Sequence, residues 1–97
     1  MNNPVLSICV VTRNRAEQLK DALESCLACQ LPETTEFVVI DNASTDATAE
    51  VVQNILGRSG YAWIYEKNAV NLGAGRGRAQ YFNMASGHYV YGRAGMR

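Results

Sequence analysis

A chain of 97 residues, 47% of them hydrophobic and without a long Gly, Ser or Pro stretch, fits one globular domain and excludes both a two-domain protein and a disordered one. Its formal net charge of zero argues against a nucleic-acid binder, and no apolar run approaches the roughly 20 residues needed to span a bilayer. A domain this short buries only about 60–65% of the surface its unfolded chain exposes, so a homodimer, or a further half of the protein covering part of it, is expected.

Leu6-Ser7-Ile8-Cys9-Val10-Val11 is an apolar, β-branched run without strict alternation, the pattern of a strand covered on both faces. Polar Thr12-Arg13-Asn14-Arg15 follows. From Ala16 to about Ala28 the residues Leu19, Leu23, Cys26 and Leu27 recur at spacings of three and four, with Glu17 early in the run, which reads as an amphipathic helix. Cys26 and Cys29 form a C-x-x-C at the end of that helix. A redox pair sits instead at a helix N-terminus, where the dipole stabilises the thiolate, and zinc needs twice as many ligands. With Cys9 the count is three, an odd number, and no leader-like segment precedes Leu6. Free structural thiols and a cytoplasmic location are the expectation.

Leu31-Pro32 ends the helix, and Phe37-Val38-Val39-Ile40 makes a second strand with Asp41 at its end. Asp41 to Asp46 is dense in residues that hydrogen-bond their own backbone, and Val51, Val52, Ile55 and Leu56 then mark a helix beginning near Asp46 and closed by Gly57 to Gly60. Ala62-Trp63-Ile64-Tyr65 is a third strand. A polar loop runs through Asn71-Leu72-Gly73 into a third helix, Ala74 or Gly75 to Ala85, weakened by Gly75 and Gly77 at about 1 kcal/mol each relative to Ala. Gly87 stops it. His88-Tyr89-Val90-Tyr91 reads as a fourth strand and 92–97 as a tail, giving one domain over 4–91. The last third is basic: residues 67–97 hold five Lys/Arg and no acid.

The β-α-β-α-β-α-β order implies a Rossmann-like three-layer α/β/α fold with a mainly parallel sheet and right-handed crossovers. Ligands of such sheets bind beyond the carboxyl ends of the strands, which gathers the loops after Val11, Ile40 and Tyr65. The first loop lacks the G-x-G-x-x-G of a dinucleotide site, so side chains must make any contact there and a nicotinamide cofactor is disfavoured. Asp41 is placed either to accept hydrogen bonds from a base or ribose or to close an Asx-turn. Asp46 reads either as a ligand contact or as a helix cap. Arg76 and Arg78 are either a diphosphate fork or two exposed arginines. RNA binding through the basic segment is disfavoured, because Tyr81, Phe82, Tyr89 and Tyr91 are expected to pack on the sheet.

These motifs stand in one order: a strand leading into Thr12-x-Asn14, then Asp41-Asn-x-Ser44-x-Asp46-x-Thr48, Asn71-x-Gly73, Arg78, Ala85-x-Gly87 and Tyr89-Val90. In this the chain resembles the family 2 glycosyltransferases from about Val5 to Tyr91. The resemblance implies the N-terminal half of a GT-A nucleotide-diphospho-sugar transferase fold that binds a nucleoside diphosphate sugar, commonly a UDP-sugar. Thr12, Arg13 and Asp41 would surround the base, Arg78 would face the diphosphate, and Asn14, Asp46, Asn71 and Gly73 would complete the nucleotide site. Ala79 and Tyr81 depart from the Asn and Gly of many members. The family's Asp-x-Asp-like motif, which holds Mg or Mn, would fall at Ala94-Gly95-Met96, where no carboxylate stands. The expectation is therefore a chain without catalytic or metal-binding residues, ending before the metal motif and inactive alone. The alternative is a non-catalytic interaction or dimerisation module derived from such an enzyme.

Overall fold

The computed structural model describes residues 4–87 and 89–96. Seven elements alternate along them: β1 (Leu6–Thr12), α1 (Ala16–Leu27), β2 (Glu36–Asp41), α2 (Thr48–Leu56), β3 (Ala62–Lys67), α3 (Gly73–Met84) and β4 (Tyr89–Met96). The strands form one sheet in the order β3-β2-β1-β4, every pairing parallel. Chain order reverses between β1 and β4, so the switch point where α/β sheets open a crevice lies beside the end of β1.

Alternation along β1 and β2 divides the core in two. Ile8, Val10, Phe37 and Val39 point to one face and pack with Leu19 and Leu23 of α1 and with Val52 and Leu56 of α2. Cys9, Val11, Val38 and Ile40 point to the other and pack with Tyr81 of α3. Both faces being covered explains why these strands are continuously apolar. Each fully buried Leu, Ile, Val or Phe contributes about 1.5–3 kcal/mol. The three-layer arrangement expected from the sequence is thus realised. Of the aromatics expected against the sheet, Tyr81 is buried but Phe82 is 59% exposed.

Close approach explains two glycines. A Cβ on Gly77 would stand 2.6 and 2.9 Å from the two methyl groups of Val11, so its absence lets α3 lie against β1. A Cβ on Gly87 would meet the Ser7 backbone nitrogen at 2.8 Å. There the N–H of Gly87 donates to the Ser7 hydroxyl, which in turn donates to the buried carboxylate of Glu36. Glu36 also accepts the N–H of Ser86. This web pins the link between α3 and β4 to the amino ends of β1 and β2. Burial, with the Glu36 charge adding to it, pushes the Cys9 thiol up to about 12.

One boundary differs from expectation. β4 continues through Gly92 to Met96, the stretch read as a tail, because its backbone pairs with β1 as far as Thr12↔Met96. The register shifts between Val10 and Thr12, so an irregularity ends this edge next to the switch point. Gly and Ala have little strand propensity, and pairing here comes from the neighbouring strand. His88 and Arg97 lie outside the described residues, as do the side chains of Tyr89 and Tyr91.

Candidate functional site

The loops after β1 and β2 are stapled together at the carboxyl end of the sheet. Arg13 donates from one guanidinium nitrogen to the carbonyls of Asn42, at 2.7 Å, and Ala43, at 3.1 Å. The N–H of Asn14 donates to the Ser44 hydroxyl at 2.8 Å, and the Asn14 side-chain oxygen accepts the N–H of Thr45 at 2.7 Å. Asp46 closes the staple. Its carboxylate accepts the N–H of Ala16, at the start of α1, and both the N–H and the hydroxyl of Thr48, at the start of α2. One carboxylate thus serves two helix N-termini, where unpaired N–H groups and the dipole favour negative charge. The Thr48 hydroxyl bond holds the Asp46 carboxyl below its usual value. Asn14 and Ala43 take left-handed backbone angles, φ 49° and 62°, to make these turns.

Asp41 lies beneath the staple, fully buried at 0% exposure. One carboxylate oxygen accepts the N–H of Ser44 at 2.9 Å, and the other accepts the Tyr65 hydroxyl. Burial, reinforced by that bond, raises the pKa of Tyr65. Asp41 therefore holds its own turn through the N–H three residues on, one residue beyond the span of an Asx-turn, and it reaches no surface of the crevice.

The third loop is held by amides. Asn42, 3% exposed, accepts from Asn68 at 2.7 Å and donates to the Gly73 carbonyl at 3.2 Å. Asn68 and Gln80 exchange two hydrogen bonds of 2.9 and 2.8 Å. Asn71 accepts the N–H of Gly73 at 2.9 Å, and Gly73 turns the chain into α3 at φ 83°, a conformation that glycine adopts without steric cost. Arg76 and Arg78 follow on α3, both exposed. Its first turn carries no acid, whereas those of α1 and α2 carry Glu17 and Glu50.

The sequence-predicted residues therefore fall into three groups. Arg13, Asn14 and Asp46 meet in the staple, Asp41 sits below it with Thr12 on the neighbouring strand end, and Asn71, Gly73 and Arg78 mark the start of α3. Among the described residues the Thr12 hydroxyl oxygen is buried without a hydrogen-bond partner. A recess of about 400 Å³ opens between the second and third loops, lined by Ala43, Ser44, Thr45, Lys67, Asn68 and Ala69. Sequence reading missed Asn42, Tyr65, Asn68 and Gln80 as members of the network. Asn42 stood inside the Asp41–Thr48 string, while nothing local to Asn68 or Gln80 marks them as partners.

A hard divalent cation needs several oxygen ligands. Asp41 and Asp46 have both oxygens engaged by internal donors, and among the described residues no group of three or more Asp, Glu, His or Cys comes together. The described residues do not fit Mg or Mn. No helix among them is long and apolar enough to cross a membrane.

Comparison with known proteins places this geometry. The family model for glycosyl transferase family 2 matches residues 7–92. An abequosyltransferase, RfbV, from Salmonella typhimurium is 33% identical over 88 residues, 90% of this chain and 26% of that protein. The structure of S. aureus TarS 1-349 in complex with UDP-GlcNAc superposes with a TM-score of 0.80 at 28% identity, over 90% of this chain and 25% of that one. A mannosyltransferase from Pyrobaculum calidifontis, in complex with GDP-Man and Mn2+, shares the fold at a TM-score of 0.82 and 24% identity, over 93% of this chain and 27% of that one. The chain thus spans about a quarter of the length of each of these relatives, and its fold corresponds to the N-terminal part of a GT-A transferase. It belongs to glycosyl transferase family 2.

Proposed function

We propose that these residues form the donor half of a glycosyl transfer site, binding a nucleoside diphosphate sugar, and a UDP-sugar before others. The observation that carries this reading is the pair of exposed guanidinium groups, Arg76 and Arg78, on a helix that starts at the crevice without an acid in its first turn. Every nearby acid oxygen on the other two loops is already engaged. These arginines, with the exposed Lys67 at the recess, are available positive charge, and an Arg fork suits a diphosphate. In transfer they would neutralise the charge growing on the leaving diphosphate. The recess of about 400 Å³ is of a size for the nucleoside. Thr12, Arg13, Asn14, Asp41, Asp46, Asn71 and Gly73 shape this site. The complex of TarS with UDP-GlcNAc supports uridine as the base. A cytoplasmic location rests on the odd cysteine count.

The 97 residues alone are expected to transfer no sugar, since among the described residues no group of three or more Asp, Glu, His or Cys comes together to hold a metal. Calorimetric titration with UDP, GDP and ADP at low salt tests the binding half. UDP is expected to bind, and more weakly as salt rises. A folded chain that binds none of the three at millimolar concentration defeats the reading.

A second reading, self-association, is favoured by one observation: Ile64 and Phe82, 37% and 59% exposed, stand on the α3 side of the molecule. Sedimentation of the nucleotide-free chain tests it.

A further inference from the structure

We infer that the Asn42–Asn68–Gln80 amide chain is a positioning device for anion binding, tying the start of α3 to the end of β2 and so setting where Arg76 and Arg78 present their charge. The inference rests on α3 being the diphosphate-binding element.

The start of α3 needs such support. Gly73, Gly75 and Gly77 are three of its first five residues, each costing about 1 kcal/mol of helix stability relative to Ala. For Gly73 the need is the left-handed turn and for Gly77 the approach to Val11. A segment this rich in glycine opens easily unless it is gripped from outside. The grip is complete at both ends of the third loop. Asn42 takes Asn68 with its oxygen and the Gly73 carbonyl with its amide nitrogen. The backbone N–H of Asn68 adds a bond of 2.8 Å to the Asp41 carbonyl. Gln80, one turn beyond Arg76 and two residues beyond Arg78, exchanges two bonds with Asn68. The helix is thereby fixed in rotation as well as in distance, since a paired amide fork tolerates little twist.

The residue type matters. Both hydrogens of the Asn68 amide nitrogen are used, one on Asn42 and one on Gln80. A carboxylate at any of the three positions would lose a donor and set a negative charge beside two arginines that must receive an anion. Amides grip without charge, without titration near neutrality and with little screening by salt.

The test compares UDP with uridine, so that the diphosphate increment is read separately from base and ribose binding. Gln80→Met keeps size and helix propensity while removing both bonds, and Asn68→Ala removes the other side. Gln80→Met is expected to weaken UDP roughly five- to tenfold while leaving uridine unchanged. Asn68 also lines the recess, so Asn68→Ala is read on the increment from uridine to UDP alone, which is expected to fall by the same factor and no further in the double variant. Amide hydrogen exchange over residues 74–80 is expected to accelerate in all three. An unchanged UDP increment in Gln80→Met overturns the inference and leaves the proposed function standing. Equal losses for uridine and UDP also overturn it, since they mean general loosening. If the unaltered chain binds UDP no better than uridine, the proposed function falls and takes the inference with it.

Discussion

The two sides of the crevice use the same polar vocabulary to opposite ends. Between the first and second loops, Arg13, Asn14, Ser44, Thr45 and Asp46 satisfy one another or the backbone. At the start of α3, Arg76 and Arg78 stand exposed on a helix whose backbone is pressed against Val11. Residue type alone does not separate a scaffold arginine from one available to a ligand. The difference is whether the surrounding backbone offers unpaired carbonyls. Turns that expose carbonyls, as at Asn42 and Ala43, capture a nearby guanidinium, whereas a regular helix leaves its side chains to solvent.

If the first side is scaffold, its removal should be felt in stability. The largest effect belongs to Asp41. Asp41→Ala strands the Ser44 N–H and the Tyr65 hydroxyl, at about 1–3 kcal/mol per group left unpaired. Urea unfolding is expected to show a loss of about 2–6 kcal/mol. Tyr65→Phe introduced into that variant should cost much less than in the unaltered chain, because the bond is already gone. Additive losses would mean that the pair is not a unit.

On the other side the backbone contact is the feature to disturb. Gly77→Ala gains about 1 kcal/mol of helix propensity but drives a methyl into Val11, whose branched side chain cannot swing away. Overpacking of this kind costs about 1–3 kcal/mol. A lowered melting temperature is expected despite the better helix former, and a raised one would show that α3 is not held as described.

Much of this architecture was legible in the chain. Continuous apolar runs at Leu6–Val11 and Phe37–Ile40 announced strands buried on both faces, and the periodic leucines of α1 and valines of α2 announced their helices. The Gly92–Met96 pairing was not legible, since its strand state is imposed by β1 and has no local propensity behind it. The site was legible as a neighbourhood and not as a division of labour. For Asp41 the sequence left two readings open, a ligand contact and a local turn, and it marked neither the Tyr65 bond nor the burial of that residue. Its burial follows from Tyr65, a partner 24 positions away that becomes adjacent only through the parallel register Val39↔Tyr65. Gln80 and Asn68 were silent for the same reason.

The comparison is sharpest with two arginines. Arg13→Ala removes the bonds to the Asn42 and Ala43 carbonyls and is expected to cost about 1 kcal/mol in urea unfolding, without reducing the affinity gained on going from uridine to UDP. Arg78→Ala is expected to leave stability within about 0.5 kcal/mol while lowering UDP affinity roughly tenfold, as the loss of a charge-assisted bond does. The reverse pattern would exchange the roles assigned to the two sides.

The smallest effect probes the staple through pH. The Asp46 carboxyl is held below the usual carboxylate range chiefly by the Thr48 hydroxyl, and also by the N–H groups of Ala16 and Thr48. A carboxyl whose folded pKa is depressed contributes stability that is fully present above the unfolded value. That stability disappears as pH falls through the folded value. Asp46→Asn keeps an oxygen acceptor but no charge, so it should be less stable than the unaltered chain above about pH 5, with the gap narrowing toward zero as the pH drops below 4. The group is exposed to solvent, so the gap is small and should shrink further with salt. Urea midpoints measured between pH 3 and 7 check it. Two parallel curves would mean that the charge on Asp46 adds nothing to the hydrogen bonds, and that the staple is held by geometry alone.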